Sequence, residues 1–129
     1  MTLLSFTPET PIEHRILAAQ KGELSGDALL REIAIANLYI PSKDEVQEDG
    51  SRLQPILLEM DGQPYLAVYT APSRIPKGSA PYLLQAVGRY FFVRLPPGYG
   101  VMINPGFAAQ MLVPAHGITA LQQDLGKAQ

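Results

Sequence analysis

Residues 55–70 read PILLEMDGQPYLAVYT and contain the strongest local signal in the chain. Asp61 and Gly62 separate two apolar segments, and this dipeptide favours a two-residue β-hairpin turn. The turn would pair Met60 with Gln63 and set the register outward along both strands. The stretch therefore predicts an antiparallel hairpin with Asp61 and Gly62 at its tip.

The two prolines in this stretch support that register, which pairs Ile56 with Ala67 and Pro55 with Val68. Bonded and unbonded pairs alternate along an antiparallel ladder, and both Pro55 and Pro64 fall at unbonded positions. Neither ring therefore removes a hydrogen bond of the hairpin. Apolar side chains occur on both faces, so we expect both faces to be covered, at least in part.

Two helices are predicted before the hairpin. Thr10 can cap the first helix, Pro11 fits its first position, and Glu13 completes a capping-box pattern. Ser25 can cap the second helix, with Asp27 in its first turn. Apolar residues recur at helical spacing in both segments, which indicates one buried face on each helix.

The rest of the chain predicts strands and turns, closed by a helix. Strands are expected at 37–40, 82–87, 100–103 and 110–113, an exposed loop at 42–52 with a turn at Asp49-Gly50, a type II turn at 104–106, and a last helix from about Pro114. Residues 88–95, GRYFFVRL, fit either a strand or one short helix. These elements predict a single α+β domain over 1–129, with the hairpin central in a small mixed or antiparallel sheet.

The composition excludes several classes of protein. The chain has 129 residues and no cysteine, so it forms no disulfide, thiolate metal site or cysteine nucleophile. The N-terminal residues lack the pattern of a signal peptide, and no apolar run is long enough to span a membrane. We therefore expect a cytoplasmic protein. The net charge of −2 gives no general reason to expect nucleic-acid binding.

The small net charge hides an uneven distribution. Residues 1–61 contain eleven acidic and five basic side chains, whereas residues 62–123 contain no Asp or Glu. The basic side chains of that second region are Arg74, Lys77, Arg89 and Arg94. Two interpretations stay open: the two halves fold against each other, or the cationic region meets an anion or an acidic partner.

Four pieces of the chain occur in a distinctive order and spacing. They are LYIP at 38–41, the hairpin stretch at 55–70, GRYFFVRLPPGYGVMINPG at 88–106 and LVPAHGITAL at 112–121. Over about residues 34–125 the chain resembles the N-terminal domain of the SseB (enhanced serine sensitivity) family. The resemblance favours a helix over 88–95 and implies a small bacterial cytosolic module with no enzymatic activity to carry over.

Patterns for catalysis and metal binding are weak. The two histidines, His14 and His116, lie far apart, and no serine occurs in a nucleophile-elbow pattern. Two distant histidines without cysteine make a poor metal site. The glycines of 98–106 match neither a dinucleotide motif nor a phosphate loop. We therefore expect no enzymatic activity, no cofactor and no bound metal.

The region 82–99 concentrates aromatic and basic side chains. Aromatic residues and arginine are enriched at protein interfaces, whereas four basic residues are too few for strong phosphate binding. We therefore predict a non-catalytic module that binds a protein partner or a second copy of itself, and not nucleic acid. The residues predicted to make the contact are Arg74, Lys77, Arg89, Tyr90 and Arg94.

An alternative function is a sensor of a small molecule or anion, or an enzyme with no recognisable motif. Its site would lie at strand ends, with a rim formed by Tyr69, Thr70, Asn104, Pro105 and Gly106. A concave pocket with converging polar groups at these residues would favour this alternative. A flat, apolar or cationic patch would favour a macromolecular partner.

Overall fold

The computed structural model describes residues 7–47 and 52–127. In chain order the elements are α1 (Pro11–Gln20), α2 (Gly26–Ile35), β1 (Asn37–Ser42), β2 (Leu57–Met60), β3 (Gln63–Val68), a 3-10 helix (Pro72–Arg74), β4 (Tyr82–Val87), α3 (Gly88–Val93), β5 (Gly100–Ile103), β6 (Met111–Val113) and α4 (Ala115–Lys127). These elements confirm the α+β class. The predicted turn at Asp49-Gly50 lies outside the described residues.

The hairpin forms as predicted. Asp61 and Gly62 have φ angles of 53° and 78°, the left-handed values that both central positions of this turn require. The predicted register holds from the turn outward. Past the last ladder pair, the Ala67 N–H still donates to the Ile56 oxygen at 3.0 Å.

The strands form two sheets. β2, β3, β5 and β6 lie side by side in one sheet, in which β3 and β5 are parallel, and β1 pairs with β4 in the other. β1 links the two sheets through isolated bridges between Tyr39 and Tyr69 and between Ser42 and Pro55. The hairpin ladder stops short of the predicted partner of Pro55 because β1 contacts both strands at that point.

The two strands of the hairpin differ in burial. From Tyr65 to Val68, β3 is buried, because it lies between β2 and β5 in the middle of the sheet. β2 is an edge strand, and its Leu57 side chain is 50% exposed. The expected cover on both faces therefore holds for β3 and is wrong for β2.

The two N-terminal helices start where the sequence predicts, but only one uses its predicted cap. The Ser25 hydroxyl accepts a hydrogen bond from the Ala28 N–H at 3.1 Å and caps α2. Thr10 is the N-cap residue of α1, yet its side chain makes no capping hydrogen bond. The predicted capping box is wrong, because the Glu13 side chain is buried against Arg74 instead.

Residues 88–93 form the short helix that the resemblance favours. α3 follows β4 directly because Gly88 passes close to α2: a methyl group there would overlap the Ile33 carbonyl oxygen. The predicted type II turn is also confirmed, since the Phe107 N–H donates to the Asn104 oxygen at 3.2 Å and Gly106 has φ 86°. The core lies between the helices and the four-stranded sheet.

Candidate functional site

An apolar groove of about 740 Å³ lies between β4, β2 and α3. Its lining is mostly leucine, proline and aromatic side chains. It comprises residues 52–55, 57, 66, 84–87, 90, 91, 94–96 and 99, and we call it the β4 groove. Concave surfaces of this size with mostly apolar walls are typical of the sites at which proteins bind ligands.

The β4 groove is open to solvent along its rim. Leu57 on β2 and Tyr90 on α3 both line it, and each side chain is 50% exposed. Large apolar side chains that stay exposed around a concave surface mark an interaction site more often than isolated exposed ones do. The groove is thus already formed without rearrangement of the described residues.

The charge around the β4 groove is of one sign. Arg52 and Arg94 line it, and no acidic side chain does so among the described residues. Arg94 follows α3 and donates from Nη1 to the Tyr90 carbonyl oxygen at 3.0 Å. The Arg89 guanidinium carbon lies 5.2 Å from the centre of the Tyr90 ring, in cation–π geometry. The groove rim is therefore aromatic and cationic.

The structure brings three of the five predicted contact residues together. Arg89, Tyr90 and Arg94 lie on or next to α3, and two of them line the β4 groove. Lys77 is exposed in the loop between the 3-10 helix and β4. Arg74 lies in the 3-10 helix, where its side chain is only 11% exposed. The role of all five in partner binding stays a prediction.

Arg74 is held by the acidic half of the chain. Its Nε and Nη2 atoms donate to the two carboxylate oxygens of Glu13 at 3.1 and 2.9 Å. Glu9 lies at 3.4 Å from the same guanidinium. For Arg74 the intramolecular interpretation of the uneven charge distribution therefore holds. Its ion pair with Glu13 joins the 3-10 helix to α1.

Glu13 is fully buried, and its hydrogen bonds keep it ionised. Burial alone would raise the pKa of its carboxyl group. Hydrogen bonds from the Arg74 guanidinium, the Thr70 hydroxyl and the Glu9 N–H, together with the Arg74 charge, outweigh burial and hold the pKa below its ordinary value. The carboxylate thus acts as a structural anion.

The predicted ligand rim is mostly closed. Tyr69, Thr70 and Asn104 are buried, and burial raises the pKa of the Tyr69 phenol. The Asn104 side chain accepts from the Thr70 N–H at 3.1 Å and donates to the Thr70 hydroxyl at 2.9 Å. Pro105 and Gly106 follow in the turn, where Gly106 is exposed. The polar groups of Thr70 and Asn104 are therefore hydrogen-bonded to each other rather than directed toward solvent.

A second depression reaches Thr70 from another side. It has a volume of about 510 Å³ and lies beside the first turn of α1. The Thr10 hydroxyl is buried and has no hydrogen-bond partner within the described residues. Arg15 also lines the depression, but its guanidinium pairs with Glu32 at 2.8 Å.

Several residues of the β4 groove were not predicted from the sequence. The sequence pattern places Arg52 in an exposed loop, and it places Leu57 and Gln85 in strands without indicating a binding role. One sequence signal was available, because Leu57 adds a second apolar face to a strand that needs only one. No local sequence pattern indicates that β4 lies near β2, because the two strands are distant in the chain.

The described residues contain no group of three or more His, Asp or Glu side chains placed to hold a metal ion. In the same part of the chain, no helix combines the length and apolar character that a membrane span requires.

The architecture defines a small α+β domain with a mixed sheet and an apolar surface groove. The family model of the SseB protein N-terminal domain matches residues 13–120 of the chain. The chain therefore belongs to the SseB family, and the match includes both the Glu13–Arg74 pair and the β4 groove. No match was found among curated proteins or among solved structures.

Proposed function

We propose that this SseB domain is a non-catalytic module that binds a protein partner, or a second copy of itself, through the β4 groove. The observation that carries the proposal is an open apolar groove with exposed Leu57 and Tyr90 on its rim. Tyrosine and arginine contribute strongly to protein interfaces, and Arg94 lies beside Tyr90. The absence of cysteine agrees with a cytoplasmic location.

The contact surface would draw on Arg89, Tyr90 and Arg94, and Lys77, which is exposed in the loop before β4, is a further candidate. Arg74 contributes less, because Glu13 already neutralises its charge. Rim charges act mainly on association rate and specificity, so their reversal should weaken binding without unfolding the domain.

The test is capture of partners from the native host with three forms of the chain. These are the natural chain, the double variant Arg89→Glu/Arg94→Glu, and the control Lys21→Glu/Arg31→Glu, which has the same net charge but changes exposed residues outside the groove. We expect the first variant to lose the captured proteins and the control to keep them. Both variants should melt close to the natural chain, since exposed charges contribute little to stability.

Equal capture by all three forms would contradict the proposal. A large loss of stability in Arg89→Glu/Arg94→Glu would instead assign the two arginines to intramolecular contacts.

The alternative of a small-molecule or anion sensor, or an unrecognised enzyme, has one feature in its favour. The second depression holds the unpartnered Thr10 hydroxyl next to Thr70. Two contacts argue against this alternative. The polar groups of Thr70 are hydrogen-bonded to Asn104, and the Arg15 guanidinium is paired with Glu32. A ligand-dependent rise in melting temperature with phosphate or small carboxylates would support the alternative. We expect no such rise.

A further inference from the structure

One edge of β4 has backbone groups directed away from its partner strand. In the β1–β4 ladder, Tyr39 lies opposite Gln85. Both backbone groups of Tyr39 bond to Tyr69 at 2.8 Å, so the Tyr39–Gln85 pair is an unbonded one. The N–H and C=O of Gln85 therefore point outward, as do those of Leu83, two residues earlier on the strand.

The β4 groove lies next to this strand. Residues 84–87 all line the groove, although successive side chains of a strand point to opposite faces. Contact with all four residues means that the groove follows this length of the strand. Within the described residues, β4 pairs with β1 alone.

The sequence of β4 lacks the charged residues and prolines that often protect edge strands. Its sequence, YLLQAV, contains no charged residue and no proline, and Tyr82 and Leu83 are both exposed. Natural edge strands are usually guarded by lysine, proline or a covering loop. An edge strand without charge or proline, beside an apolar groove, matches the way in which domains bind extended peptides by adding a strand.

The lining of the groove selects the chemistry of the added strand. Apolar walls accept apolar side chains, and Arg52 and Arg94 attract a carboxylate. A second copy of the chain, added edge to edge through β4, would bring like charges together. We infer that the β4 groove binds an extended peptide segment of a partner protein that carries alternating apolar side chains and an acidic residue. This inference rests on the proposed function.

The first experiment selects peptides from a phage-displayed library of random linear sequences on the full chain. We expect the enriched peptides to contain apolar residues at alternate positions and at least one Asp or Glu. Fluorescence anisotropy with a synthesised, labelled peptide from the selection should then give a Kd at least about tenfold weaker for Arg94→Glu. The control Lys21→Glu should bind with the Kd of the natural chain.

The second experiment tests the strand edge itself with the same labelled peptide. Gln85→Pro removes an outward N–H and blocks the edge with its ring, while the bonds between β1 and β4 stay in place. We expect the Kd to weaken at least about tenfold. The matched variant Gln85→Ala removes the same side chain but keeps the backbone N–H, so its Kd should weaken much less than that of Gln85→Pro.

Hydrogen exchange in the natural chain provides a readout that does not depend on the folding of a variant. Saturating peptide should slow exchange of the Gln85 amide at least about tenfold, because the added strand accepts its hydrogen bond. The exposed amides of α1 should exchange at unchanged rates.

Three results would overturn the inference: no enriched peptide, enriched peptides without acidic residues, or unchanged exchange of the Gln85 amide in the complex. If the inference fails in this way but Arg89→Glu/Arg94→Glu no longer captures the proteins that the natural chain captures from the host, the proposed function stands. The partner then binds through a folded surface. If that variant keeps them, the proposed function fails whatever the peptides show.

Discussion

The Glu13 carboxylate is a buried charge that joins α1 to the 3-10 helix through Arg74. It is fully buried and accepts hydrogen bonds from Arg74, Thr70 and the Glu9 N–H. Its position three residues after Thr10 predicted a capping box, which is a local pattern. Its actual partner, Arg74, is 61 residues away. No local pattern identifies such a partner, although the uneven charge distribution predicted that the two halves could pair.

Replacing Glu13 by glutamine removes the negative charge and leaves the shape almost unchanged. Arg74, itself largely buried, would then keep only the half-exposed carboxylate of Glu9 as a counter-charge. We expect Glu13→Gln to lower the free energy of unfolding by about 3 kcal/mol, since breaking a buried ion pair from one side is strongly destabilising. Urea denaturation measures this value. The control Glu23→Gln, at an exposed position, should change it by less than about 0.5 kcal/mol.

The stability contributed by Glu13 should depend on pH in a defined direction. Its pKa is lowered in the folded state, so the unfolded chain takes up this proton first as the pH falls. The advantage of the natural chain over Glu13→Gln should be complete near neutral pH. It should shrink as the pH drops below about 4.3, the ordinary value for glutamate. An advantage that stays constant down to about pH 3 would contradict this role.

At the scale of elements, the hairpin shows what local sequence determines. Asp61 and Gly62 specify the turn, and the turn specifies the register. The cap of α2 and the type II turn at 104–106 are equally local and were predicted correctly. Residues 88–95 were ambiguous because the choice depends on Gly88 packing against α2. The pairings of β1 with β4 and of β3 with β5 join distant segments and have no local signature.

The turn can be tested at Gly62, whose φ of 78° disfavours any side chain. A methyl group there would meet no neighbouring atom, so Gly62→Ala isolates the backbone effect. We expect this variant to lose about 1 kcal/mol of unfolding free energy. Gly26→Ala is the matched control, since Gly26 lies in the first turn of α2, also with open space. It should be neutral or stabilising, and equal losses in both variants would contradict the assignment.

At the scale of the whole molecule, the uneven charge distribution has two outcomes. Arg74 is paired with the acidic half, in agreement with the intramolecular interpretation. Arg89 and Arg94 stay exposed near Tyr90, where the interpretation as a binding surface remains a proposal. The β4 groove as a whole could not be predicted from the sequence, because distant segments assemble it: residues 52–55, β2, β3, β4, α3 and the residues that follow α3.

The single-domain prediction has a direct thermodynamic consequence. β1 bridges both sheets, and one apolar core contacts the helices and the strands of each sheet. We therefore expect a single cooperative unfolding transition, with equal calorimetric and van't Hoff enthalpies. Differential scanning calorimetry measures both, and two separable transitions would contradict a single domain.

Photo-cross-linking in the native host tests the β4 groove as a binding site most directly. A photoreactive phenylalanine analogue replaces Tyr90 in one form of the chain and His14, an exposed residue of α1 outside the groove, in another. We predict that irradiation links a protein partner to the chain from position 90 and not from position 14. Cross-links from neither position, or from both equally, would contradict the proposal that this groove binds the partner.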